Sequence, residues 1–147
     1  NFERGKGKEV MEAFLKIPES KGFNALYAHN DDMALGAIQA MKEAGLKPGV
    51  DIKIVSIDAV KAAFHAMIDG ELNCTVECSP LLGPQLFDTI ETVLAARAVR
   101  KFGAQHKLIK PEVLEAIKGD IFEKRIMVDE GVFDQSVAKK LLDSRQY

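Results

Sequence analysis

An α/β fold with a doubly wound parallel sheet is predicted by this sequence on three observations. Segments of helical period alternate with apolar runs too short to be helices. The loops between them span only a few residues, which is the spacing of strand–helix–strand units. Polar side chains, Asn30 and Asp58, stand where two of the expected strands end. Right-handed crossovers gather such ends along one edge, where ligands of open α/β sheets bind.

The elements follow in order. Val10, Phe14 and Leu15 mark an amphipathic helix from about Lys6 to Pro18, where the proline ends it. Residues 25–28, Ala-Leu-Tyr-Ala, form a short apolar strand that runs straight into Asn30-Asp31-Asp32, a strong helix start. Met33, Leu35, Ile38 and Met41 space that helix, and Gly45 stops it. Residues 52–57 are the next strand and end at Asp58. A helix from about Val60 to Ile68 closes at Gly70. A third strand covers roughly residues 73–78 and runs into Pro80. A long helix follows over residues 86–100, with Leu86, Ile90, Val93, Leu94 and Ala98 on its apolar side. Beyond it the sequence predicts a short helix near 111–117, a strand at 126–128 and a last amphipathic helix from Asp134 to about Leu142.

The chain has 147 residues, of which 47% are hydrophobic and 29% charged, with a formal net charge of -2. That is an ordinary globular balance able to bury a core. Nothing in it points to a nucleic-acid surface, because the Lys and Arg residues are scattered. No apolar run reaches the roughly 18 residues of a membrane span. The start at Asn1-Phe2-Glu3-Arg4, without Met or leader, leads us to expect a processed product or a fragment. Cys74 and Cys78, four apart on an extended strand, would be about 13 Å from each other. That exceeds disulfide reach, so free thiols are expected.

Catalytic and metal motifs are absent from the pattern. His29, His65 and His106 share no ligand spacing, and there is no nucleophile elbow, P-loop or dinucleotide fingerprint. Gly5-Lys6-Gly7-Lys8 follows no strand and lacks phosphate-loop spacing. Neither a cofactor nor a metal is expected. What remains is a set of polar groups at strand ends. Asn30 offers donors and an acceptor and Asp58 ionised acceptors, a mixture suited to sugar hydroxyls. Each residue has an equally good alternative as a helix cap. Phe2 either stacks on a ring-shaped ligand or staples the first helix. Glu77 closes the third strand as a contact or as an exposed carboxylate.

Tyr27-Ala28-His29-Asn30-Asp31-Asp32-Met33-Ala34-Leu35-Gly36-Ala37 closely resembles the A-x-N-D-x-M-A-L-G-A stretch of ribose-type periplasmic binding proteins. Val55-Ser56-Ile57-Asp58 resembles their V-G-F-D strand end. Cys74-Thr75-Val76-Glu77-Cys78-Ser79-Pro80 with Gly83 resembles their third inter-lobe crossover. Asn1-Phe2-Glu3-Arg4 with Gly7 resembles the family's aromatic loop ahead of the preceding helix, and the endings Val128-to-Phe133 and Arg145-Gln146-Tyr147 look most like the galactofuranose-binding branch. The resemblance implies one lobe of a two-lobed clamp that closes on a monosaccharide. Residues 1–78 and 124–147 would form the C-terminal lobe, and residues 79–123 would pack on an N-terminal lobe outside this chain. It also implies that Asn30 and Asp58 bond sugar hydroxyls and that Phe2 supplies an aromatic face. Glu77 is the substitute candidate where the family carries a Gln and this chain Cys78. The expected function is a non-enzymatic, periplasmic (or extracellular, lipid-anchored) sugar binder serving the permease of an ABC importer. The rivals are the effector domain of a sugar-responsive repressor and an enzyme using Asp58 and Glu77 as an acid–base pair. The lone lobe is expected to bind sugar weakly and to self-associate.

Overall fold

The computed structural model describes residues 2–102 and 130–147. The elements are α1 (Arg4–Lys16), a 3₁₀ turn (Pro18–Gly22), β1 (Ala25–Tyr27), α2 (Asp31–Glu43), β2 (Lys53–Asp58) and α3 (Lys61–Ile68). After these come β3 (Cys74–Glu77), α4 (Gly83–Phe102), β4 (Val132–Asp134), α5 (Gln135–Leu141) and a 3₁₀ turn (Leu142–Ser144). The chain forms two compact units, one of Asn1–Ser79 with Glu130–Tyr147 and one of Pro80–Asp129. The helix expected at 111–117 and the strand expected at 126–128 lie outside the described residues.

In the first unit the strands lie in the order β1-β2-β3-β4. The first two pairings are parallel, as the strand–helix alternation predicts, with Leu26 opposite Ile54 and Ser56 opposite Thr75. β4 runs antiparallel to β3. The sequence reading missed this strand, since three residues are too few to show a period and its partner is distant in sequence. Two parallel crossovers in the same direction put α2 and α3 on one face of the sheet. The burial along β2 agrees: Ile54 and Ser56 are buried, whereas Lys53 and Val55 are exposed.

Ala34, Ala37, Ile38 and Met41 of α2 form one buried cluster with Ile54 of β2, Ala63, Phe64 and Met67 of α3, and Ala138 of α5. Complete burial of a side chain such as Phe64 or Met41 is worth about 1.5–3 kcal/mol. α1 ends at Lys16 because the residue before Pro18 is pushed out of helical conformation; Ile17 has φ -79° and ψ 125°. Gly45 and Gly70, read as helix stops, both have positive φ, 80° and 79°.

In the second unit α4 starts at Gly83, ahead of the expected Leu86, with Pro84 in its first turn. Leu86, Phe87, Ile90 and Leu94 are exposed on it. Among the described residues no helix is long and apolar enough to cross a membrane.

Candidate functional site

The carboxyl ends of the three parallel strands lie together, and the sequence-predicted polar residues gather there. Asn30 follows β1 and caps α2, its Oδ1 accepting the Met33 N–H at 2.8 Å. Its Nδ2 reaches the Phe2 carbonyl at 3.5 Å. Phe2 is 74% exposed, so its ring is open to solvent and does not staple α1. Asp58 closes β2, and the Asp31 backbone N–H at the start of α2 favours its charged form. Asp58 does not cap α3, whose N-cap residue is Val60 and makes no side-chain cap bond. Asn30 and Asp58 thus both stand by the first turn of α2. Burial, and next the negative charge of Asp31, push the Asp58 carboxyl above its ordinary range.

Beneath these two residues lies one that the sequence reading considered only as a helix cap. Asp31 is fully buried. Its Oδ1 accepts from the Ser56 hydroxyl and, at 2.8 Å, from Thr75 Oγ1. Its Oδ2 accepts the Val60 N–H at 2.8 Å. Thr75 Oγ1 accepts the Ala59 N–H at 3.2 Å. Burial raises the Asp31 pKa, and the bonds from Ser56, Val60 and Thr75 offset this only in part. A signal for this group exists in the sequence. Ser56 and Thr75 interrupt apolar strands at inward positions, and buried hydroxyls need a partner.

Glu77 stands opposite Asp58 in the β2–β3 register, but its oxygens are taken. Oε1 accepts from Arg145 Nη2 at 2.7 Å and from the Tyr147 hydroxyl at 2.8 Å, and Oε2 from the Gly131 N–H at 3.1 Å. The Arg145 guanidinium also lies over Phe64, Phe133 and Tyr147, at 5.3, 5.2 and 4.8 Å from their ring centres. Burial would raise the Glu77 pKa, yet the bonds from Tyr147, Arg145 and Gly131 together hold it below the usual range. This carboxylate is therefore neither an exposed strand group nor a free contact: it clasps the C-terminal tail. Cys74 and Cys78 are free thiols, as expected.

The match to known proteins is with sugar binders. The chain is 56% identical over 93 residues to the galactofuranose-binding protein YtfQ of Escherichia coli, covering 62% of this chain and 29% of that one. It is 31% identical over 144 residues to the fructose import binding protein FruE of Bifidobacterium longum, covering 98% of this chain and 36% of the relative. Among solved structures, the periplasmic binding protein of the arabinose ABC transporter from Shewanella sp. ANA-3, bound to L-arabinofuranose, matches with TM-score 0.70 and 42% identity. The match covers 98% of this chain and 40% of that one. A galactofuranose binding protein matches with TM-score 0.72 and 39% identity, over 97% and 41% of the respective chains.

The chain is a homologue of the periplasmic sugar-binding proteins. It carries part of their two-lobed fold, and it spans about a third of the length of these curated relatives. No family model matches it. These relatives are named as sugar-binding and import-binding proteins.

Proposed function

We propose that this chain supplies the C-terminal half of a sugar clamp, as part of the substrate-binding component of an ABC importer, and that a furanose-type monosaccharide is its ligand. The observation that carries the reading is that Asn30 and Asp58 both stand by the start of α2, on the ligand edge of a parallel sheet. The free Asn30 Nδ2 hydrogen and the Asp58 oxygens complement the mixed donor and acceptor character of sugar hydroxyls. Phe2, exposed to solvent, offers a ring face to the sugar's C–H groups. Furanose ligands are favoured because relatives named for galactofuranose and arabinofuranose are 56% and 42% identical to this chain over their matched regions. In this reading residues 1–78 and 124–147 belong to the ligand lobe, residues 79–123 pack on an N-terminal lobe, and the assembled protein docks on a membrane permease.

Glu77 enters the reading as a support for the crossover, not as a sugar contact. Its ion pair with Arg145 and its lowered pKa also make it a poor proton donor, which weakens the acid–base alternative. Calorimetry with L-arabinose and D-galactose tests the proposal. Weak saturable binding without product is expected, since an open half-site leaves water competing for each hydrogen bond. Asp58→Asn and Asn30→Ala should abolish that binding. Turnover of either sugar, or unchanged binding in both variants, would overturn the reading.

A further inference from the structure

We propose that Asp31 is a positioning residue, holding the Asp58–Ala59 turn in a left-handed conformation and so setting where the Asp58 carboxylate stands beside Asn30. The inference rests on the reading of Asn30 and Asp58 as ligand contacts. Asp58 has φ 118° and Ala59 φ 61°, and neither is glycine. A Cβ disfavours both conformations, so the neighbours must enforce them. The chain also passes from β2 to α3 through only Ala59 and Val60, which leaves the turn little slack.

Asp31 reaches the turn by two routes. Its Oδ2 takes the Val60 N–H at 2.8 Å. Its Oδ1 takes the hydroxyl hydrogen of Thr75, which frees Thr75 Oγ1 to accept the Ala59 N–H at 3.2 Å. The Ser56 hydroxyl fixes the carboxylate from the adjoining strand. Ala59 and Val60, the two residues that follow Asp58, are thus tied to one side chain at the head of α2, next in sequence to Asn30.

A role in packing alone does not account for this group. A fully buried carboxylate held only by neutral donors is costly to desolvate. An apolar residue of similar size would fill the space at lower cost. A carboxylate is the side chain that accepts on both oxygens and donates on neither. Asparagine would turn an N–H₂ toward either the Val60 N–H or the two hydroxyls.

The test uses Asp31→Asn and Thr75→Val in the 147-residue chain, with NMR couplings and ¹³C shifts of Asp58 and Ala59 reporting φ. Both variants should lose the left-handed signature. Amide exchange at Ile54 and Ala37 in the core should stay within roughly tenfold of the parent. Adding Ala59→Gly to Asp31→Asn should restore the turn, because glycine accepts positive φ without strain. L-arabinose titration should show roughly tenfold weaker binding in Asp31→Asn, equivalent to about 1.4 kcal/mol, with recovery in the double variant. If Asp31→Asn does not fold, Thr75→Val decides, since it removes only a hydroxyl. A left-handed signature that persists in Thr75→Val, or in both variants, overturns the proposal. Failure of the unmodified chain to bind L-arabinose counts against the sugar reading, while the φ readout still decides the positioning role.

Discussion

Asn30 shows why a residue type underdetermines its role. The spacing of Asn30 to Met33 fits a cap as well as a ligand contact, and the geometry satisfies the cap while leaving Nδ2 pointing toward Phe2. Glu77 is the opposite case, a single carboxylate at a strand end that local sequence leaves open. Its partners Arg145 and Tyr147 lie at the far end of the chain, so only folding could name them. A carboxylate whose folded pKa is lowered binds fewer protons folded than unfolded at mildly acid pH. Its stabilisation is present above the unfolded glutamate value of about 4.3 and fades as pH falls through the folded value. We therefore expect the stability difference between parent and Glu77→Gln, measured by urea unfolding, to shrink below about pH 4.3. Arg145→Ala, which strands a part-buried carboxylate, should cost roughly 3 kcal/mol at neutral pH by the same measurement.

Among the elements, α1 and α2 depend on close backbone approach. A Cβ at Gly36 would lie 2.0 Å from the Arg4 carbonyl oxygen, and one at Gly7 would lie 2.4 Å from that of Met33. Both contacts are with backbone, which cannot swing aside. Gly36→Ala should therefore lower stability by about 2 kcal/mol or more, despite alanine's better helix propensity. Gly5 is the control, since nothing lies within 4 Å of its Cβ position. Gly5→Ala should raise stability by up to about 1 kcal/mol. Thermal melts of the three proteins check both signs, and equal effects would show that the helices do not meet at Gly36.

At the level of the molecule, apolar surface is left uncovered among the described residues. In the ladder to β2, Lys53 donates to the Asn24 carbonyl and Ala28 to that of Val55. Alternation then turns the backbone groups of Ala25 and Tyr27 away from β2, toward an edge that no strand among the described residues covers. Beside that edge is a groove of about 210 Å³ lined by Val10, Phe14, Leu26 and Tyr27. On α4, Phe87 and Leu94 are 66% and 57% exposed. Unpaired edges and apolar patches drive association, so sedimentation velocity should show a concentration-dependent dimer or larger species. A monomer at all concentrations would show that these surfaces are tolerated by the isolated chain.

The periods of the sequence were enough for the three parallel strands, the helices between them and the edge where Asn30 and Asp58 end up. Each of these follows from local rules, namely apolar spacing, a cap residue, a glycine stop and the handedness of a crossover. The short antiparallel strand β4 and the clasp of Glu77 by Arg145 and Tyr147 came only from the tertiary structure, as did the partner of Ser56 and Thr75, whose hydroxyls the strand pattern shows without naming Asp31. Each is a contact between residues distant along the chain, and a hydrogen bond of that kind leaves no period in the sequence that makes it.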